Sequence, residues 1–188
     1  MTDHHDSCRP GDGIEPEGEP PSRASPAGTV LIELDVIHEG GDWSAITDIE
    51  DVIRRAAEAA ARIPRSGLAG AGAALALSSD EHVAMLNGAY RGKHGPTNVL
   101  SFPAGADHPQ VPGEPRFLGD IIFAAETVAA EAASMGISAS HHLQHLVVHG
   151  LLHLAGFDHE TEEEAVEMET LETEILATLG IADPYAKS

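Results

Sequence analysis

Between His149 and His159 the chain reads His149-Gly-Leu-Leu-His153-Leu-Ala-Gly156-Phe-Asp158-His159. This run constrains the fold more than any other. Four residues separate the first two histidines, so a helix puts both on one face, a turn apart. Leu143, Leu146, Val147, Leu151 and Leu154 make the same stretch apolar nearly all round, which predicts a helix inside the core. Gly156 predicts its end, because glycine readily takes the left-handed conformation of a helix C-cap. The chain can then turn and bring His159 back toward the pair. Two imidazoles on a helix and a third just past a glycine offer a tetrahedral metal three ligands and leave a fourth position for water. Bound zinc lowers the pKa of such a water to about 7. One Zn2+ per chain is therefore expected on His149, His153 and His159. Two core histidines on an apolar helix would explain the pair without explaining the third.

His141, His145, His149 and His153 form a stripe at four-residue spacing. It spans about 18 Å, too long for all four to share one ion. His145 is expected to support the site or simply to pack; His141 and His142, at the helix start, are expected to be exposed. A metalloprotease helix reads His-Glu-x-x-His with the glutamate as general base. Here Gly150 follows His149, so a peptidase-like zinc hydrolase lacks its base and stands only as an alternative.

The rest of the chain alternates strand and helix patterns. Residues 29–37 (TVLIELDVI) alternate and are rich in β-branched side chains, as a strand is. Ile49, Val52, Ile53, Ala56, Ala57 and Ala60 follow a helical period over 48–63, closed by Pro64 and Gly67. A short strand over 73–77, a helix from Ser79 to Tyr90, strands over 97–102 and 117–123, and a helix over 124–135 follow. Ser138 or Ser140 is placed to cap the histidine helix, and a last, strongly acidic helix covers 162–179. This order predicts an α+β fold: a small mixed four-stranded sheet covered by about five helices, mostly on one face, with the three-histidine zinc site on a buried helix.

Length and 42% hydrophobic residues suit one domain with a core. Residues 1–28 carry almost no large apolar side chain and are expected to be a disordered acidic tail, with the domain over 29–185. The single cysteine, Cys8, lies in that tail, which leaves neither a disulfide framework nor a thiolate zinc site. No run approaches the roughly 20 apolar residues of a membrane span, and a cytoplasmic protein is expected. The net charge of -21 speaks against a nucleic-acid partner until its distribution is considered. Residues 158–183 hold ten acids and no Lys or Arg. Basic residues cluster instead at Arg54, Arg55, Arg62 and Arg65, where an ordinary solvated face is the preferred reading, and at Arg91, Lys93 and His94.

Three blocks in order carry a resemblance: Leu86-Asn87-Gly-Ala-Tyr90-Arg91-Gly-Lys93-His94-Gly-Pro96-Thr97-Asn98-Val99-Leu100-Ser101-Phe102-Pro103, then Leu118-Gly119-Asp120-Ile121, then the histidine run. With the acidic last helix and Asp183-Pro184-Tyr185, they resemble the YbeY family, the bacterial endoribonucleases of rRNA maturation, over about 29–185. The resemblance implies zinc on the same three histidines and cleavage of single-stranded RNA. It implies work at the 3′ end of small-subunit rRNA and in ribosome quality control, with the ribosomal small subunit and assembly proteins as partners. Neither DNA nor membrane is implied. It also implies a functional arginine, here Arg91, which joins His149 as an expected catalytic residue. Phe157 stands where the family often has tyrosine, and His94-Gly95 where an acid often precedes Pro-Thr. A ribosome-assembly binding factor with a structural zinc remains the non-enzymatic alternative.

Overall fold

The computed structural model describes residues 31–105 and 107–186; the expected acidic tail lies outside them. Four strands, β1 (Ile32–His38), β2 (Ala71–Ser78), β3 (Val99–Pro103) and β4 (Arg116–Ala124), form one sheet in the order β1-β2-β4-β3. β1, β2 and β4 run parallel, while β3 pairs antiparallel with β4 at the edge, Ser101 opposite Ile121. Among the described residues five α-helices complete the fold: α1 (Ile49–Arg62), α2 (Asp80–Arg91), α3 (Ala125–Met135), α4 (Ala139–Ala155) and α5 (Glu162–Thr178). The architecture is the expected α+β.

Side-chain alternation in the strands builds two cores of unequal size. Ala73, Leu75 and Leu77 of β2 and Ile121 and Phe123 of β4 join the large one, with α1, α4 and α5. Ile122 and Ala124 join Val83 of α2 and Leu100 of β3 in a small one, flanked by Ala76, Leu86 and Phe102. The sheet thus carries α2 on one face and the histidine helix α4 on the other. α4 buries Leu143, Leu146, Val147, Val148, Leu151, Leu152 and Leu154, which fixes its rotation and hence the direction of its histidines. The four arginines of α1 and the turn after it are tied to acids: Arg54 to Asp51 and Glu58, Arg55 to Asp51, Arg62 to Glu58, Arg65 to Glu174. That supports the solvated-face reading of this cluster. No helix among the described residues is long and apolar enough to cross a membrane.

Candidate metal centre

Capping at both ends of α4 sets the site. The Ser138 hydroxyl accepts from the His141 N–H at 3.1 Å and starts the helix. At the other end Gly156, at φ 100, lets its own N–H reach His153 O at 3.0 Å and the Phe157 N–H reach Leu152 O at 3.0 Å. This turn carries His159 back over α4. Each of His149, His153 and His159 offers a ligand nitrogen, and the three nitrogens all lie within 4.8 Å of one another. His149 and His153 are half-buried, His159 exposed.

Hydrogen bonds on the far side of two rings decide which nitrogen is free. His149 Nδ1 lies 2.7 Å from Glu172 Oε1. His153 Nδ1 lies 3.0 Å from the Phe157 carbonyl oxygen. Both partners only accept, so both Nδ1 atoms carry the proton and both Nε2 atoms carry a lone pair. These two Nε2 atoms stand 3.1 Å apart. Facing lone pairs repel unless a cation lies between them. Tetrahedral ligands at about 2.0–2.1 Å from a zinc stand about 3.3 Å from each other. The donor set therefore fits a metal ion. Burial lowers the His153 pKa, and the neighbouring His149 and His159 lower it further, so its ring is kept neutral and free to ligate. Phe157 contributes only its backbone carbonyl here, so the absence of a tyrosine at that position costs His153 no partner.

Glu172 is the residue that sequence reasoning missed. It lies among the acids of α5 yet is fully buried. Burial pushes its carboxyl up, yet the hydrogen bonds from His149 and Tyr185 and the nearby His145 ring outweigh that and hold it well below its ordinary value. The Tyr185 hydroxyl donates to its Oε2. A signal existed: Met168, Leu171 and Ile175 form the buried stripe of α5, and residue 172 falls on it. His145 stands outside the ligand group, its Nε2 3.7 Å from Glu172 Oε2. His142 corrects an expectation. It is 2% exposed, with its Nε2 2.7 Å from Glu131 Oε2, because α3 packs over the start of α4.

A cleft of about 710 Å³ opens beside His149, walled by Asn98, Val99, Leu146, His145 and the segment Ile181–Ala186. Arg91 does not line it. Arg91 ends α2, on the helix of the opposite sheet face, and is exposed. The loop that follows it is anchored by Asn87, whose side chain donates to Gly95 O at 2.9 Å and whose carbonyl accepts from the Lys93 N–H. That loop leads into Asn98 at the cleft rim.

Comparison with known proteins matches the family model described as Endoribonuclease YbeY over residues 42–180. A protein named Endoribonuclease YbeY from Rhodopseudomonas palustris is 51% identical over 152 residues, 81% of this chain and 80% of the relative. Its namesakes from Parvibaculum lavamentivorans and a Chelativorans species are each 49% identical, over 82% and 90% of this chain and 85% and 99% of their own lengths.

Proposed function

The chain belongs to the YbeY endoribonuclease family, and from that premise we propose that it is a zinc-dependent endoribonuclease that cuts single-stranded RNA in the cytoplasm. The finer reading is maturation of the small-subunit rRNA 3′ end and ribosome quality control, beside ribosomal and assembly proteins, carried by residues 29–185. The observation that most supports a metal-dependent enzyme is the convergence of the His149 and His153 Nε2 atoms at 3.1 Å, with His159 beside them.

His149, His153 and His159 would hold the ion, with Glu172 and the Phe157 carbonyl fixing two of the rings. When bound, zinc supplies a Lewis acid for the phosphodiester oxygens and acidifies water. Arg91 offers a guanidinium fork that grips a phosphate through two parallel hydrogen bonds and offsets charge developing on its oxygens. Lys93, two residues on, adds a second exposed cation. RNA carries its own nucleophile in the 2′-OH, so the missing glutamate after His149 matters less than it would for a peptide. Strand passage from the Arg91 loop past Asn98 would bring the backbone from one face of the sheet to the cleft beside His149.

The test is metal analysis and RNA cleavage together. The parent should bind one zinc per chain and cut unstructured RNA. His149→Ala, His153→Ala and His159→Ala should each lose most of the zinc and the cleavage, while His145→Ala keeps stoichiometry near one. Loss of zinc from His145→Ala alone would show that the ligand set is wrong. Full zinc with no RNA cleavage by the parent would favour the assembly-factor reading.

A further inference from the structure

Among the described residues, Glu172 is the one fully buried carboxylate. A charge in such a place is costly unless each oxygen finds a donor. Its Oε1 takes the His149 Nδ1–H at 2.7 Å and its Oε2 takes the Tyr185 hydroxyl. Tyr185 is itself held in place. Its N–H donates to Asp183 Oδ1 at 2.8 Å, and the same oxygen receives the Thr173 hydroxyl at 3.3 Å, from the residue after Glu172. The Tyr185 ring meets His145 edge to face, centroids 6.1 Å apart. The chain after α5 therefore folds back on that helix and ends in a hydrogen bond one carboxylate away from an expected metal ligand.

We propose that Tyr185 is a positioning residue for the metal ligand His149, acting through Glu172, so that the seating of Asp183–Tyr185 on α5 helps set the metal affinity of the site. By occupying Oε2, Tyr185 leaves Oε1 to His149 and holds the carboxylate in one orientation. Without the hydroxyl, the nearest other donor to Oε2 is His145 Nε2, at 3.7 Å. Rotation of the carboxylate toward it draws Oε1 away from His149 and loosens the ring. The inference rests on the reading that His149 binds the ion.

The experiment titrates the full-length apoprotein with Zn2+ against a chromophoric chelator, for the parent, Tyr185→Phe, Glu172→Gln, the double variant and His149→Ala. Direct partners of ligating histidines change metal affinity by about 10- to 100-fold. Glu172→Gln is expected in that range, and Tyr185→Phe, one bond further out, at roughly 3- to 10-fold. The double variant should be no weaker than Glu172→Gln alone, because the hydroxyl acts only through the carboxylate. A merely structural tyrosine would lower the melting temperature of the apoprotein without this coupling. Unchanged zinc affinity in Tyr185→Phe overturns the proposal, as does an undiminished loss when it is added to Glu172→Gln. Should Glu172→Gln not fold, Glu172→Asp provides the background for the same cycle. If His149→Ala loses zinc while Tyr185→Phe does not, only this inference falls; if His149→Ala keeps it, the ligand reading falls with it.

Discussion

Gly150 follows His149 on α4, and its lack of a side chain is a packing requirement. A Cβ built there would stand 2.9 Å from Ile121 Cδ1, 3.1 Å from Ile121 Cγ2 and 3.2 Å from Ser101 Oγ. Comfortable carbon contacts begin near about 3.5 Å. Two effects oppose each other in Gly150→Ala. Alanine is the better helix former by about 1 kcal/mol. Overpacking a close-packed core costs about 1–3 kcal/mol. Ile121 is 1% exposed on a strand hydrogen-bonded on both sides, and its Cγ2 is fixed to the Cβ, so it has little room to yield. Overpacking should win by about 1 kcal/mol, lowering the melting temperature by roughly 2–4 °C for a chain of this size. Gly150→Glu writes the protease motif into the helix and is far worse. The carboxylate would enter the contact between α4 and the sheet, where an unpaired charge costs several kcal/mol. That variant should be unfolded or metal-depleted and should not cleave peptides. Urea unfolding and zinc analysis decide it. Gly150→Ala more stable by about 1 kcal/mol, as at an exposed helix position, would refute the packing argument. A folded, zinc-loaded Gly150→Glu with peptidase activity would refute the argument about where that side chain points.

Arg91→Ala should keep zinc content and melting temperature and lose RNA cleavage on the order of a hundredfold or more, with Arg91→Lys rescuing it only in part; cleavage at the parent rate would remove Arg91 from the chemistry. Glu126 accepts from the Asp80 N–H at 2.8 Å, while Asp80 accepts from the Thr127 N–H at 2.9 Å, so the starts of α2 and α3 are tied reciprocally. The Asp80 backbone N–H, with the residue's own, holds the Glu126 carboxyl below its ordinary 4.5. A depressed carboxylate contributes its stability above the unfolded value and loses it as pH falls through the folded one. Glu126→Gln should therefore be less stable than the parent at neutral pH, with the gap closing below about pH 4.5; a gap unchanged in acid would show that the charge is immaterial.

The histidine helix was legible because three independent signals agreed: four-residue spacing, apolar residues on the remaining faces, and a glycine at the end. Ser138 and Gly156 then took the cap positions that their chemistry favours. Helix boundaries followed closely elsewhere, since Ser79 and Thr161 also cap by accepting backbone N–H groups. What the sequence hid was lateral. Nothing in residues 97–102 says that this strand runs antiparallel at the edge, or that α2 crosses to the other face of the sheet. The same blindness explains His142 and Glu172. Each sits among polar neighbours in the chain, and each is buried by packing against another helix, α3 for the first and α4 for the second. Arg91 shows the converse, since its chemistry can be read from a motif while its distance from the histidines depends on the path of the loop after α2.

Charge then says how RNA can approach. Glu162, Glu163 and Glu164 open α5, and Asp158 and Glu160 flank His159. A phosphate backbone is repelled on that side. The arginines of α1 are already paired with acids, which leaves Arg91, Lys93 and Arg116 exposed and without an ion pair among the described residues, the first two nearest the cleft rim in the chain. Phosphate neutralisation releases counterions, and for single strands log K falls with log salt with a slope of about -0.7 per phosphate contacted. Two such contacts predict a slope near -1.4, shallow for a nucleic-acid enzyme. Equilibrium binding of an unstructured RNA to the metal-loaded His153-intact chain, under conditions that block cleavage by a modified scissile linkage, measures it over a salt series. Arg91→Ala should reduce the magnitude by about 0.7. A slope several times steeper would mean that RNA is gripped by a basic surface other than this loop, with the α1 arginines released from their acids as the first place to look.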